Sequence, residues 1–362
     1  MASPQPVLFD QQTPDQLRSR PCPDCYLCGT TGEPLYENLK DRLYGAAGAW
    51  NLKRCPEPGC GLLWLDPMPA EEDIDKAYKD YFTHIEMNGV RKSWLKHAYG
   101  LAKRGYWARK YGYGKDSVGR WQKLWGMLIQ LDPGLRAELE FSVMYLPSLR
   151  NGQLLDVGCG SGLALQRMSE LGWQVRGVDF DPKAVRIAQK KGLEVGLGKL
   201  ADQGYPSDCF DAITMSHIIE HVHDPLSFLG ECRRILKPGG NLVMVTPNSR
   251  SWGHQRFGAN WMHLDPPRHL HIFNEPSLRE LTLAAGLQLV SLRTTIRDTN
   301  GLFIGSRSIE RTGRYRMGRV KHTPFRFHWG RGMQFAEWVL LKLRRSLGEE
   351  IVFIGTKESA VR

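Results

Sequence analysis

Between residues 150 and 192 the chain alternates short apolar runs with amphipathic stretches, the rhythm of strand, turn, helix, strand, helix. Leu154–Val157 is an apolar run of strand length, and Gly158, Gly160 and Gly162 follow it as a turn. Leu163, Leu165, Met168 and Leu171 then recur at helical spacing, before a second apolar run, Val175–Val178, that closes on Asp179. Further on, Ala212–Met215 reads as a strand, and a helix followed by a Pro238-Gly239-Gly240 turn leads to another at Asn241–Val245. A helix with Gly286 as its C-cap precedes a further strand. GEEIVFIGTK near the C-terminus reads as the last one. Strands alternating with helices predict a doubly wound sheet, with its ligand at the carboxyl ends of the strands. Residues 71–148 should be mainly helical, lying between the front of the chain and the sheet, where they could cap the site.

Composition adds a second module. The chain has 362 residues, room for about two domains. Five of its eight cysteines lie in the first 60 residues. The N-terminal stretch has no apolar core of an export signal and no run approaches a membrane span, so the expected location is cytoplasmic. Clustered cysteines in such a chain point to metal rather than disulfides. Cys25-x2-Cys28 and Cys55-x4-Cys60 have the short ligand spacings of a structural zinc site. Gly29 and Gly61 follow the second cysteine of each pair, where a tight turn often requires positive φ. That repetition selects Cys25 over the nearby Cys22.

The glycine turn narrows the ligand. A dinucleotide fingerprint needs Gly or Ala at the sixth position, where this chain has Leu163. An acid, Asp156, precedes the first glycine instead. S-adenosylmethionine has no pyrophosphate but carries an ammonium, a carboxylate and a ribose. Asp156 suits the ammonium, the exposed backbone of Gly158–Gly162 allows close approach, and Asp179 can accept from both ribose hydroxyls.

LLDVGCGSG, VDFDP, FDAITM and LKPGG together resemble the class I S-adenosylmethionine-dependent methyltransferases, over residues 150–296 and 349–357. The resemblance implies an α/β, Rossmann-like, seven-stranded sheet with an antiparallel final hairpin. It extends the donor-binding set to Asp156, Gly158, Cys159, Gly160, Gly162, Asp179, Phe180, Leu200 and Met215. The front cysteines with CGLLWLDPMP resemble a bacterial subgroup with an N-terminal zinc ribbon, often modifying sugars, lipids or secondary metabolites. The expected organisation is a tail at 1–20, the zinc ribbon at 21–68 and a helical cap at 69–149. The methyltransferase core follows at 150–296, a basic helical insertion at 297–348, and the last strand and tail at 349–362.

His217, Glu220 and His221 form H-x-x-E-H, also a zinc-peptidase signature. A peptidase needs its ligands on a scaffold helix, whereas here the string follows the fourth strand, at the mouth of the donor site. Three readings stay open. A histidine, best His221, takes the acceptor's proton, with Glu220 orienting it. Alternatively the three side chains, at i, i+3 and i+4, hold a divalent ion such as Mg²⁺ against the acceptor oxygen. The third reading is a set of structural contacts. The string is similar to the E-x-x-E-H of ubiquinone-pathway O-methyltransferases, with His217 in place of the first acid. In NWMHLDPPRHLHIF, Asn260, His263, Arg268 and His269 are expected to wall the acceptor, or else to belong to a rigid surface loop.

Charge is the last feature. Of a net +11, residues 91–125 supply ten Lys/Arg against one Asp, and 307–345 eleven against two Glu; each is +9, so the rest is −7. Aromatics interleave with the first segment. In the second, Phe335, Trp338, Val339, Leu343 and Leu347 fall on one helix face. The pattern suits an anionic membrane surface, placing the protein peripherally at its inner face. It also suits nucleic acid, ranked lower for want of an RNA-binding motif, or a solvated face. These features together imply a methyltransferase acting at oxygen on a small-molecule, sugar or lipid-linked acceptor. Methylation of RNA, methylation at carbon or nitrogen, and a binding module without chemistry are the alternatives.

Overall fold

The apolar runs of the chain's second half become neighbours in one seven-stranded sheet. The computed structural model describes residues 17–78, 94–315 and 324–358. Parts of both basic segments, 91–93 and 316–323, lie outside the described residues. The front holds β1 (Ser19–Arg20), β2 (Glu33–Leu39), β3 (Trp50–Arg54), β4 (Leu63–Leu65) and β5 (Met68–Pro69), then a 3-10 segment, Glu71–Tyr78. Helices α1 (Trp94–Tyr111), α2 (Arg120–Leu128) and α3 (Pro133–Phe141) come next. The core opens with β6 (Gln153–Val157), α4 (Leu163–Glu170), β7 (Gln174–Asp179), α5 (Pro182–Lys190) and β8 (Val195–Leu197). It continues with β9 (Phe210–Ser216), α6 (Pro225–Ile235), β10 (Leu236–Pro247) and α7 (Trp252–Phe257). The chain closes through β11 (His271–Ile272), α8 (Glu275–Ala284), β12 (Leu287–Thr295), α9 (Thr299–Thr312), α10 (Pro324–Leu343) and β13 (Glu350–Lys357).

The strand order is β12-β13-β10-β9-β6-β7-β8. Strands β6 to β10 run parallel, and β13 is antiparallel to both β10 and β12. Chain direction across the sheet reverses beside β6, so the crevice at the carboxyl ends of β6 and β9 is the ligand position of such a fold. Pro247 pairs with Glu350, which brings the start of β13 to that same edge. The expected Pro-Gly-Gly turn is taken up inside β10. Its pairing with β9 jumps from Leu236↔Phe210 to Asn241↔Ala212, leaving a bulge.

Both faces of the sheet are buried, which is why its strands read as nearly unbroken apolar runs. Leu155, Ile213, Met244 and Phe353 point into one core, and Leu154, Ala212, Val243 and Val352 into the other. The second core is completed by Tyr106, Trp107 and Tyr111 of α1, with Tyr113 and Leu139. Of the helices expected to cap the site, α1 and α3 therefore lie against a sheet face. An aromatic helix stripe and an uncovered sheet face each need the other to leave water.

The strands next to the cysteine turns form a four-stranded sheet in the order β11-β4-β3-β2, so one edge strand, β11, comes from the core. Asn274 makes the junction firmer. Its side chain caps α8, accepting from Ser277 N–H at 3.0 Å, while its Nδ2 donates to the carbonyls of Cys60 and Gly61 at 2.8 Å each. No helix among the described residues is long and apolar enough to cross a membrane.

Candidate active site

At the carboxyl end of β6 the turn glycines adopt the left-handed backbone, with φ of 72° at Gly158, 54° at Gly160 and 78° at Gly162. A Cβ on Gly158 would lie 2.0 Å from Ile218 Cδ1, so a larger residue would have to displace that side chain as well as hold a positive φ. Gly160 faces open space. Its N–H donates to Asp179 Oδ2 at 2.7 Å, and Asp181 N–H donates to Oδ1 at 2.9 Å. Each carboxylate oxygen keeps a lone pair for a further donor. Burial raises the Asp179 carboxyl above its ordinary range. Burial likewise pushes Asp156 up to about 7, although Thr214 Oγ1 donates to it at 2.7 Å. Such carboxyls suit a cationic, hydroxyl-bearing ligand, whose charge would restore what burial costs. Phe180 is half exposed at the rim, whereas Cys159, Leu200 and Met215 are buried. Leu200 and Met215 belong to the sheet's core.

The H-x-x-E-H string does not form a helix face. Only Ile219–His221 makes a 3-10 turn, and His217 precedes it with φ of 55°. The His217 ring consequently faces two carboxylates. Its Nδ1 donates to Glu220 Oε1 at 3.1 Å and its Nε2 to Glu350 Oε1 at 2.8 Å. Burial opposes the imidazolium charge, but these two partners outweigh it and hold the group up to about 10. His217 is thus a cation at neutral pH, with no lone pair for a proton or a metal. Arg297 pairs with both oxygens of Glu350, its Nε donating to Oε2 at 2.9 Å and its Nη2 to Oε1, the oxygen that His217 also uses.

His221 and His269 have the opposite character. The carbonyl of Arg268 lies 2.9 Å from His221 Nδ1, and that of His263 lies 2.7 Å from His269 Nδ1. A carbonyl only accepts, so each Nδ1 carries the hydrogen and each Nε2 keeps its lone pair. Tyr78 Oη also meets His221 Nδ1, at 3.0 Å. Burial, with the neighbouring histidine, lowers His221 to about 4, and burial lowers His269 to about 4. Glu220 is fully buried. Burial would raise it, yet His217 holds it down to about 2, and Thr246 Oγ1 donates to its Oε2 at 3.0 Å. One ligand atom each from Glu220, His221 and His269 lies within 4.8 Å of the others. The carboxylate and two neutral imidazoles can hold a divalent ion. The cluster differs from the expected one by exchanging His217 for His269.

His269 arrives because Leu270 N–H donates to the Glu220 carbonyl at 2.8 Å, sealing the 260–270 loop onto the 3-10 turn. His263 is buried in the same loop, and its Nδ1 has no hydrogen-bond partner among the described residues. The other two members of the expected acceptor wall are engaged elsewhere. Arg268 is fully buried and pairs with Asp265 and with Asp41, 2.8 Å away. It also donates to the Ala77 carbonyl at 3.0 Å. A guanidinium with these partners clamps the loop to the cysteine module. Asn260 accepts from Arg42. Tyr78, Thr246, Arg297 and Glu350 join the cluster unannounced by any motif; only the acidic pair Glu349-Glu350 before an apolar strand hinted at buried acids.

The four cysteines meet at the front. Cys25 Sγ lies 3.7 Å from Cys60 Sγ and Cys28 Sγ 3.4 Å from Cys55 Sγ, and all four sulfurs fall within 4.8 Å. A tetrahedral zinc with bonds of about 2.3 Å has edges of about 3.8 Å, so the cluster fits that ion. Gly29 and Gly61 have φ of 72° and 61°, as the knuckle turns require. Cys22 stands outside the cluster: its N–H donates to Asp66 Oδ1 and its carbonyl accepts from Trp64 Nε1.

A methyltransferase domain model matches residues 131–292. The chain is 32% identical over 166 residues to the ubiquinone biosynthesis O-methyltransferase of Xanthomonas oryzae pv. oryzae, covering 42% of this chain and 67% of that protein. To the Albidiferax ferrireducens protein of the same name it is 33% identical over 200 residues, covering 52% and 77%. The chain belongs to the class I S-adenosylmethionine-dependent methyltransferases. Among solved structures, a methyltransferase in complex with the Haloferax volcanii Trm112 activator aligns at TM-score 0.44 and 16% identity, covering 65% of this chain and 94% of that one.

As a member of this class the enzyme takes its methyl group from S-adenosylmethionine. The methyltransferase's glycine turn, Asp156 and Asp179 offer backbone and carboxylates of the kind that donor needs. Tyr78 links the two halves of the crevice. Its ring meets Phe180 edge-on at 5.0 Å between centroids while its hydroxyl contacts His221.

Proposed function

We propose that the enzyme methylates an oxygen of a small or lipid-linked acceptor, with Glu220, His221 and His269 beside the reacting oxygen. The carrying observation is that two buried, neutral imidazoles, His221 and His269, each bring a ligand atom within 4.8 Å of the buried Glu220 carboxylate beside the carboxyl end of β9. In the reaction the acceptor oxygen bonds to the donor methyl carbon as the carbon–sulfur bond breaks. Sulfur leaves as a neutral thioether and the hydroxyl proton passes to a base. Positioning is the protein's main contribution, because the sulfonium is already electrophilic. Similarity to proteins named for O-methylation in ubiquinone biosynthesis supports oxygen over nitrogen or carbon.

The unprotonated state of His221 and His269 favours a metal over a lone general base, since an imidazole held near 4 takes a proton poorly at neutral pH. Two imidazoles and one carboxylate suit Zn²⁺, Mn²⁺ or Fe²⁺ better than Mg²⁺, which prefers oxygen ligands. Such an ion, when bound, stabilises an acceptor alkoxide as a Lewis acid. His263, with its unpartnered Nδ1, is the group we assign to the acceptor. A separate zinc ion on Cys25, Cys28, Cys55 and Cys60 is structural.

The test incubates the enzyme with labelled donor and a metabolite extract, reading product mass and methyl position. Label on carbon or nitrogen, or in RNA, would replace the oxygen reading. His221→Ala and His269→Ala should each cut turnover by roughly 10²–10⁴ with donor affinity retained. Activity lost to a chelator and restored by one of these ions supports the metal. Full activity through chelation leaves His221 as the simple base.

A further inference from the structure

The helices of the two basic segments behave differently from one another once folded. The aromatics of α1 are consumed by the core, as Tyr106, Trp107 and Tyr111 are buried. Helix α2 instead packs its small face on α1. A Cβ on Gly126 would lie 2.4 Å from Tyr106 N, so the two backbones approach closely. This turns the opposite face of α2 outward: Trp121, Leu124, Trp125 and Leu128 are 51–77% exposed, and Leu131 beyond them 80%. Helix α10 does likewise. Phe335, Val339 and Leu343 are exposed, the last by 81%. The stripe expected on α10 is thus largely in solvent, with only Leu347 at its end buried. The two faces adjoin, because Leu131 and Phe335 line one shallow depression, and Arg331 pairs with Asp132 at 2.5 Å across it.

We infer that α2 and α10 together form a docking face for an anionic membrane, inserting their apolar side chains among the lipid headgroups. Three observations select that occupant. Helix α2 contains no acid, and the single acid of α10, Glu337, is fully buried, so neither helix exposes a negative charge. Arg120, Lys123, Lys342, Arg344 and Arg345 accompany the face. A second copy docking face to face would set these cations against each other. Nucleic acid would match the charge, but six of the eleven exposed large apolar residues of α2, Leu131 and α10 are non-aromatic and offer no ring for base stacking. Aliphatic and tryptophan side chains beside cations are what a headgroup region accepts.

The face also has an address relative to the crevice. On the inner side of α10, Gln334 Nε2 donates to the carbonyls of Ile296 and Arg297 at 2.8 and 3.1 Å. Arg297 holds Glu350, which in turn holds His217. One helix, about 10 Å thick, therefore separates the docking face from the residues that brace the crevice. A lipid-borne acceptor would meet the enzyme on this side. The inference stands whether the acceptor atom is oxygen or another.

The test is flotation of the full chain with phosphatidylglycerol-containing vesicles and with phosphatidylcholine vesicles. Wild type should float with the anionic vesicles only. Leu131→Ser, Phe335→Ser and Leu343→Ser combined should lower the bound fraction by roughly ten-fold or more. Donor binding and melting temperature should stay unchanged, which shows that the variant is folded. Lys123→Glu with Lys342→Glu should lower binding while leaving the apolar face intact. Failure of wild type to bind, equal flotation of wild type and the triple variant, or binding to tRNA without vesicles would overturn the inference. So would self-association that the triple variant abolishes, since the face would then belong to a second copy.

Discussion

Asp156 and Asp179 sit on neighbouring strands and are both raised by burial, so this site resists holding two negative charges without a cation beside them. This has a readable consequence. Donor affinity should rise with pH through about 7, as Asp156 ionises to meet a cation, and level off above it. Calorimetry from pH 6 to 8.5 checks this; a flat profile removes Asp156 from contact with the ammonium. Asp179→Ala should weaken donor binding by on the order of 2–3 kcal/mol, the value of a pair of charge-assisted hydrogen bonds. A donor affinity unaltered by that change would exclude the ribose role. The histidines show how environment separates like residues. His217 faces two carboxylates and stays charged, whereas His221 and His269 face carbonyls and stay neutral.

At the scale of elements, the cysteine module and the core share a sheet, so metal loss should be felt beyond the module. Zinc analysis of protein purified without chelator should give one ion at the four thiols. Cys60→Ser should release it and lower the melting temperature, whereas Cys22→Ser should retain it. Asn274→Ala tests the junction, because it removes both the α8 cap and two bonds to the knuckle carbonyls. The expected cost is about 2 kcal/mol in chemical denaturation. A change within experimental error would mean that the β4–β11 pairing alone holds the two together.

For the whole molecule, stability should depend on pH through the network of His217, Glu220, Glu350 and Arg297. His217 is raised in the fold, so its contribution is complete below its unfolded value near 6.5. It is lost as pH climbs toward about 10. After allowance for its 28% exposure, the loss is on the order of 3 kcal/mol. His217→Gln should flatten this alkaline limb in melts from pH 7 to 10. Glu220 is depressed, so its contribution is present above about 4.3 and disappears as pH falls through about 2. His221 and His269 act in the other direction. They are neutral in the fold, so acid favours the unfolded chain progressively from about 6.5 down to about 4. Unchanged melting across pH 4–6.5 in metal-free enzyme would show that these rings are not buried in solution.

The amino-acid sequence by itself determined the sheet, the glycine turn and the four-thiol cluster. Each is written in local periodicity or short spacing: apolar runs of strand length, glycines where φ must be positive, cysteines paired with two and four residues between them. It did not determine which histidines share a site. His221 and His269 are 48 residues apart and meet only because the 260–270 loop is pinned to the 3-10 turn by one backbone bond and an arginine clamp. Nor could composition say which aromatics would reach the surface. Tyr106 and Trp121 belong to the same basic segment, yet one packs on the sheet and the other stands in solvent. The close packing of α2 on α1 decided that, and it rests on contacts at Gly105 and Gly126 that only the folded chain brings together.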